Sequence, residues 1–175
     1  MFKVTVIGDG GVGKTSLIRR YTQDNFQKDY IMTLGAQISN YRFKINEDKI
    51  KLIFWDIAGQ DTHHYLRPAF FKGSHAAIIV FSLEESDHGK KSFGNVTKWQ
   101  NNFKQNCGDL PIILFGNKVD LVDEETLNND KIFKFAEKHG FRGYYMTSAK
   151  MGTGVKQAFQ VIIEDLYHKH ATPIV

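Results

Sequence analysis

The residues most suited to chemistry form a glycine-rich stretch near the start of the chain. It reads Gly8-Asp9-Gly10-Gly11-Val12-Gly13-Lys14-Thr15, which fits the G-x-x-x-x-G-K-[ST] pattern of a phosphate-binding loop. Glycines let a backbone turn so that its N–H groups point at phosphate oxygens. Lys14 can then contact the terminal phosphates, and the Thr15 hydroxyl can bind Mg²⁺. The stretch predicts a binding site for a nucleotide with magnesium.

A second motif downstream contains residues that could catalyse the transfer of a phosphoryl group to water. Asp56, Gly59 and Gln60 belong to the run Trp55-Asp56-Ile57-Ala58-Gly59-Gln60. Asp56 can hold magnesium through water, and the N–H of Gly59 can approach a γ-phosphate. Gln60 would then orient the attacking water. A D-x-x-G run alone is usually a turn, but after a phosphate loop and at the end of a predicted strand it indicates the same site.

Two further segments favour guanine as the base. In Asn117-Lys118-Val119-Asp120, the carboxylate can accept hydrogen bonds from guanine N1–H and its exocyclic amine, a donor pair that adenine lacks. Asn117 can brace this loop, and the aliphatic stem of Lys118 can cover one face of the base. In Ser148-Ala149-Lys150, the backbone N–H of Ala149 can donate to guanine O6, with Ser148 fixing the loop.

The elements that must position these motifs are predicted from apolar runs with helical patterns between most of them. The predicted strands are Phe2–Ile7, Ile50–Trp55, Ala76–Phe81, Leu110–Phe115 and Gly143–Met146. This alternation predicts a mostly parallel sheet covered on both faces. Each motif follows a predicted strand, so the motifs should converge at the carboxyl edge of the sheet.

Other segments complete the predicted α/β fold. Alternating residues over Ala36–Ile45 predict an outer strand antiparallel to residues 49–56. Apolar stripes predict helices around Phe93–Phe103, around Ile132–Ala136 with Gly140 after its end, and over Val155–Leu166. The polar segment Glu84–Lys91 is predicted to be an exposed loop. We expect one domain over residues 1–175, with six strands and about five helices.

Composition restricts the class of protein. The 175 residues carry a net charge of +4, but lysines and arginines are spread along the chain, so nucleic-acid binding is not expected. The single cysteine, Cys107, excludes an internal disulfide and is typical of a reducing compartment. No apolar run approaches the roughly 20 residues of a membrane span. We therefore expect a cytoplasmic protein, with membrane contact only at the periphery.

Together these segments resemble the Ras superfamily of small GTPases over essentially the whole chain. The phosphate loop, a loop threonine, D-x-x-G-Q, N-K-x-D and S-A-K occur in the family's order and spacing. Within the superfamily, residues 55–60, Ser92 to Trp99 and Phe70-Phe71-Lys72-Gly73 are most similar to the Rab branch. The resemblance implies the three-layer P-loop NTPase fold, GTP and GDP as bound nucleotides, Mg²⁺ as cofactor, and slow GTP hydrolysis.

The resemblance also implies roles for individual residues. Phe26 would pack edge-on against guanine, Tyr30 would close over the phosphates, and Thr33 would bind magnesium only in the GTP state. Gln60, Lys14 and Thr33 would be the catalytic residues, and the magnesium ligands would be Thr15, Thr33 and Asp56. The nucleotide contacts would be residues 8–13, Lys14, Thr15, Ser16, Phe26, Tyr30, Thr33, Gly59, Asn117, Lys118, Asp120, Ser148, Ala149 and Lys150.

The expected partners follow from the same resemblance. Exchange factors, GTPase-activating proteins and effectors would bind a monomer through switch I (residues 27–40) and switch II (residues 57–72), and Gly10 would leave space for a partner's arginine. Both switches depart from the usual Rab sequence, with Ala36-Gln37-Ile38 and Asp61-Thr62-His63-His64, so named Rab partners are not transferred.

Two questions stay open at this point: how the protein would attach to a membrane, and whether it hydrolyses GTP. No cysteine follows Cys107, so membrane attachment is expected only if a lipidated tail is missing from this sequence. One alternative is a nucleotide-locked interaction module with negligible hydrolysis. The other is an ATP-using P-loop enzyme such as a small kinase, against which the N-K-x-D and S-A-K motifs argue.

Overall fold

A six-stranded sheet organises the computed structural model, which describes residues 1–24, 35–45, 48–59, 65–123, 125 and 127–170. Its strands are β1 (Phe2–Ile7), β2 (Ala36–Ile45), β3 (Asp48–Ile57), β4 (Ala76–Ser82), β5 (Ile112–Asn117) and β6 (Tyr144–Met146). They lie in the order β2-β3-β1-β4-β5-β6. All neighbours are parallel except β2 and β3, which pair antiparallel from Ala36 opposite Ile57 to Ile45 opposite Asp48. The predicted sheet is confirmed.

Helices cover both faces of this sheet. They are α1 (Lys14–Gln23), α2 (Arg67–Phe71), α3 (Asp87–Gly94), α4 (Val96–Cys107), α5 (Asn129–Lys138) and α6 (Val155–His170), with a 3₁₀ turn over Val119–Leu121. No helix within the described residues is long and apolar enough to cross a membrane. The mixed α/β architecture agrees with the predicted small G-protein fold.

Two apolar cores, one on each face, hold the layers together. On one face, Phe54 of the sheet packs edge-on against Phe159 of α6, with ring centroids 5.3 Å apart. On the other face, Phe71 of α2 packs against Phe103 of α4 at 5.4 Å. Every residue of β4 and β5 is buried, because both strands carry helices on both sides. This double burial explains their nearly continuous apolar sequences.

The segment after β4 differs from its prediction. Residues 84–91 do not form an exposed loop, since α3 starts at Asp87. The Ser86 side chain caps α3 by accepting a hydrogen bond from the N–H of Gly89 at 3.1 Å, as expected for a serine N-cap. Gly89 is buried, and a side chain there would overlap the carbonyl oxygen of Glu84. Because position 89 is a buried glycine and not a large apolar residue, this segment lacks the apolar periodicity that would have predicted a helix.

Two boundaries also shift. The helix predicted around Phe93–Phe103 is divided, because α3 ends at Gly94 and α4 begins at Val96. Strand β5 begins at Ile112 rather than Leu110, since Pro111 has no N–H for the ladder. At its other end β5 extends to Asn117, which pairs with Ser82 of β4. This extension brings a polar side chain to the carboxyl edge of the sheet.

Candidate functional site

The phosphate loop joins β1 to α1 at the carboxyl edge of the sheet. Gly8, Gly11 and Gly13 have φ values of 141°, 76° and 98°, which side chains rarely tolerate. A Cβ at Gly8 would also overlap the Val80 carbonyl oxygen. Gly13 occupies the N-cap of α1 and has no side chain to cap it, so the first turn presents backbone N–H groups. This geometry suits an anion at the helix start.

Lys14 is buried beneath this loop. Its Nζ donates hydrogen bonds to the carbonyl oxygens of Gly8 at 2.9 Å and Asp9 at 2.7 Å. Burial lowers the pKa of Lys14 to about 8, although the nearby carboxylates of Asp56 and Asp9 oppose that shift. An anionic phosphate would offset the cost of burying the charged ammonium group. A bound phosphate would therefore stabilise the charged form of Lys14 in this loop.

Thr15 and Asp56 meet next to this lysine. The Thr15 hydroxyl donates to Oδ2 of Asp56, because Asp56 of β3 lies opposite Val6 at the end of β1. Asp56 is only 2% exposed. A hydroxyl and a carboxylate side by side supply the hard oxygen ligands that Mg²⁺ prefers. The residues present fit the expected cofactor, and Thr33, the third predicted ligand, lies outside the described residues.

The segment after Asp56 lies against the phosphate loop. A Cβ at Gly59 would overlap the backbone of Asp9 and Gly10, so the two segments are in direct backbone contact. The Ala58 N–H donates to the carbonyl oxygen of Gly35 at 2.9 Å, which anchors the end of β3 to the start of β2. The predicted residues Gln60, Phe26 and Tyr30 lie outside the described residues.

Asn117 links the phosphate loop to the predicted base-binding segments. This side chain is 2% exposed, and its Nδ2 donates to the carbonyl oxygen of Val12 at 2.8 Å. Its Oδ1 accepts from the backbone N–H of Ala149 at 3.1 Å and from the Thr147 hydroxyl at 3.3 Å. One buried amide thus holds three segments that are remote in sequence.

The predicted guanine-contacting residues lie together beside Asn117. The Ser148 hydroxyl donates to Oδ1 of Asp120 at 2.6 Å, which orients the carboxylate, and the Lys150 ammonium lies 4.0 Å from Oδ2. Lys118 adopts a left-handed conformation, with φ of 68°, and its ammonium lies 3.1 Å from a Glu84 oxygen. Residues of the two motifs N-K-x-D and S-A-K therefore form one cluster.

Asp9 has a different environment from the other residues of its loop. Its carboxylate accepts hydrogen bonds from the Trp99 indole and the Asn95 amide, both at 2.7 Å. The Arg67 guanidinium in turn lies 4.1 Å from the centroid of the Trp99 ring. The side chain of Asp9 therefore fastens the loop to α4, which leaves its backbone for the predicted contact with a nucleotide. A buried tryptophan N–H needs an acceptor, but the sequence does not say which.

Glu84 and His88 also lie beside the phosphate loop, although their segment was predicted to be an exposed loop. His88 Nε2 lies 2.7 Å from the carbonyl oxygen of Gly10, and Nδ1 lies 2.8 Å from Glu84 Oε1. The run Ser86-Asp87 is the signal that could have revealed this arrangement, because serine followed by an acidic residue is typical of a helix start.

Comparison with known proteins agrees with this geometry. The sequence model of the Ras family matches residues 3–168. Ras-related protein Rab-13 of Canis lupus familiaris and that of Bos taurus are each 35% identical over 170 residues, which span 97% of this chain and 81% of the relative. Ras-related protein Rab-10 of Diplobatis ommata is 33% identical over 175 residues, spanning 99% and 84% of the two chains.

Members of this family bind GTP and GDP with Mg²⁺, hydrolyse GTP, and work with exchange factors, GTPase-activating proteins and effectors. The family match covers the phosphate loop, Thr15 and Asp56, and the cluster of N-K-x-D and S-A-K residues described above. The chain belongs to the Ras family and is a Rab-like small GTPase, a GTP-binding switch.

Proposed function

We propose that the cluster at the carboxyl edge of the sheet is where this switch binds its nucleotide. The backbone of residues 8–13 would hold the phosphates, with Lys14 on the terminal ones. Thr15, Thr33 and Asp56 would hold the magnesium ion, which neutralises charge on the phosphates when bound. The observation that carries the proposal is the buried Asn117 amide, which joins Val12 of the phosphate loop to Ala149 of the base cluster at 2.8 and 3.1 Å.

At the base end, Asp120 would accept the N1–H and amine protons of guanine. Its hydrogen bond from Ser148 at 2.6 Å fixes the carboxylate, so little ordering would be needed on binding. Ala149, Lys118 and Lys150 would contact the base and its loop. Phe26 and Tyr30 would complete the enclosure, and Ser16 would contribute from the first turn of α1.

Hydrolysis would then depend on placing water rather than on covalent chemistry. Gln60 would orient the attacking water, while Lys14 and Thr33 stabilise charge on the γ-phosphate. A partner's arginine would pass over Gly10, where a glycine leaves space. Without that arginine, turnover would be slow by a factor on the order of 10³–10⁵.

Partner proteins would read the nucleotide state through residues 27–40 and 57–72. Ile38 is 51% exposed on the edge strand β2 and lies opposite Trp55 of β3. The Trp55 ring in turn lies 6.1 Å from the Phe70 ring of α2. This apolar surface joins the two switches, which supports a role for it in partner binding. The whole of residues 1–175 would act as one G domain.

Two measurements test the proposal. In a binding titration with Mg²⁺, the protein should bind GTP and GDP tightly and ATP weakly. In single-turnover assays with a GTPase-activating protein, Gln60→Leu should abolish stimulated hydrolysis and leave GTP affinity nearly unchanged. The control is Gln160→Leu, the same change at an exposed position of α6.

The outcomes separate the alternatives. Equal affinity for ATP and GTP would refute the assignment of the base cluster. Undiminished hydrolysis by Gln60→Leu would refute the role of that glutamine. Tight GTP binding without any hydrolysis by the unmodified protein would instead indicate the nucleotide-locked module.

A further inference from the structure

The side chain of His88 joins helix α3 to the phosphate loop. Its Nε2 lies 2.7 Å from the carbonyl oxygen of Gly10, and its Nδ1 lies 2.8 Å from Oε1 of Glu84. Glu84 also accepts a hydrogen bond from the Lys118 ammonium at 3.1 Å. We propose that His88 is a positioning residue that holds the Gly10–Gly11 peptide in the orientation for phosphate binding. This inference rests on the nucleotide site proposed above.

Peptide geometry explains why the Gly10 carbonyl matters. That carbonyl and the N–H of Gly11 belong to one planar trans unit, so they point in opposite directions. When the Gly10 oxygen is held by a hydrogen bond to His88 and points out of the loop, the Gly11 N–H is therefore turned toward the proposed phosphate position. The unit lies between two glycines, which restrict backbone rotation less than other residues do. A hydrogen bond from outside the loop is thus the means by which this peptide is held.

The two contacts of His88 each place a ring nitrogen next to an acceptor. Nε2 faces a backbone carbonyl, and Nδ1 faces a carboxylate. An N–H on either nitrogen can therefore donate a hydrogen bond, and an N–H on Nε2 donates to the carbonyl of Gly10. Such a donor polarises the peptide, so that the Gly11 N–H becomes a better donor.

Glu84 orients the ring of His88. Burial alone would raise the pKa of Glu84, but hydrogen bonds from His88 and Lys118 outweigh burial and hold that pKa below its usual range. Glu84 is therefore a carboxylate at neutral pH, and it connects the ring of His88 to Lys118 of the base cluster. Gly10 of the phosphate loop is thus linked to Lys118 through two side chains.

Other charged groups surround the same space. His88 and Gly10 line a cavity of about 640 Å³ between the phosphate loop and α4. The further charged side chains that line it are Asp9, Arg67, Lys91 and Lys98. Asp9 is already engaged by Trp99 and Asn95, so Glu84 is the carboxylate in contact with the ring.

The test is the rate at which a fluorescent GDP analogue leaves the full protein at about pH 7. His88→Ala should release it about three- to tenfold faster than the unmodified protein, as for loss of one hydrogen bond. His88→Gln keeps a side-chain N–H donor, so it should release the analogue at an intermediate rate.

Lys90→Ala is the matched control. Lys90 is exposed on the same helix, so its variant should release the analogue at nearly the rate of the unmodified protein.

The outcomes distinguish this inference from the function on which it rests. A protein that binds no GDP would refute the proposed nucleotide site. A protein that binds GDP, but whose His88 variants release it at the unmodified rate, would refute only the role of His88. If thermal unfolding shows that His88→Ala does not fold, His88→Gln decides. An intermediate release rate for His88→Gln supports the inference, and a rate equal to that of the unmodified protein overturns it.

Discussion

The Asn117 side chain offers the sharpest test of how the site is held together. We expect Asn117→Ala to lower both the free energy of unfolding and the affinity for GDP. The amide is 2% exposed and donates to the Val12 carbonyl while accepting from the Ala149 N–H. Alanine removes both contacts, and water cannot replace them easily at a buried position. The phosphate loop and the base cluster would then be joined only through the rest of the fold.

The size of the effect follows from the groups left behind. Two buried backbone groups, the Val12 carbonyl and the Ala149 N–H, lose the partner that Asn117 gave them. Each such loss costs about 1–3 kcal/mol, so the free energy of unfolding should fall by about 2–6 kcal/mol. The Thr147 hydroxyl does not add to this sum, because it also donates to the Gly116 carbonyl at 3.4 Å. Domains are stable by about 5–15 kcal/mol, so the variant should still fold.

Urea denaturation of the nucleotide-free protein, followed by tryptophan fluorescence, measures this change. Asn106→Ala is the control, since Asn106 is exposed on α4 and donates only to the Asn102 carbonyl within that helix at 2.7 Å. It should cost less than about 0.5 kcal/mol, as surface changes do. Asn117→Asp keeps an acceptor for Ala149 but places an acceptor against the Val12 carbonyl, so it should weaken GDP binding as well.

A cost below about 0.5 kcal/mol for Asn117→Ala, equal to that of the control, would refute the reasoning. It would mean that the two backbone groups find other partners at no cost. Unchanged GDP affinity with a large loss of stability would show instead that Asn117 serves the fold and not the site.

Two further predictions concern the base and the phosphates. Removing the exocyclic amine of guanine gives hypoxanthine, the base of ITP, so the protein should prefer GTP to ITP by about 10- to 100-fold. Asp120→Ala should lose that preference, while the exposed Asp109→Ala keeps it, and a competition titration measures both. Because burial holds the pKa of Lys14 at about 8 and phosphates would raise it, GDP binding at about pH 9 should take up protons, and at about pH 6.5 it should not. Calorimetry in buffers of different ionisation enthalpy measures this uptake. The nucleotide-free protein should also gain stability as pH rises from about 8 to 10.5, because only the unfolded lysine still holds its proton there. Uptake that is equal at both pH values would contradict the assignment to Lys14.

The sequence predicted the fold well where the burial of a strand on one or both faces imposes a regular apolar pattern. Strands β4 and β5 are covered on both faces, and their apolar runs predicted β4 to within one residue and β5 to within two residues at each end. Strand β2 has one face covered and alternates accordingly. Asp56 near the end of β3 and Asn117 at the end of β5, with Asp120 shortly after it, lie at the same edge of the sheet because parallel strands end there.

The sequence did not predict contacts between residues that are far apart in the chain but close together in the fold. Helix α3 was missed because Gly89 is buried by close packing against Glu84 and leaves no apolar stripe. The contact between His88 and Gly10 spans 78 residues, and no local pattern encodes such a pair. The engagement of Asp9 by Trp99 was missed for the same reason, since the partner of a buried indole depends on tertiary packing.

These unpredicted contacts have a common consequence for the phosphate loop. Its carbonyl at Val12 is held by Asn117 at the end of β5, its carboxylate at Asp9 by Trp99 of α4, and its carbonyl at Gly10 by His88 of α3. Each holding group comes from a different element and none from the loop itself. A glycine-rich loop on its own would lose much conformational entropy when it closes on a phosphate. Because these contacts already order the loop, little further conformational entropy is lost when a phosphate binds to it.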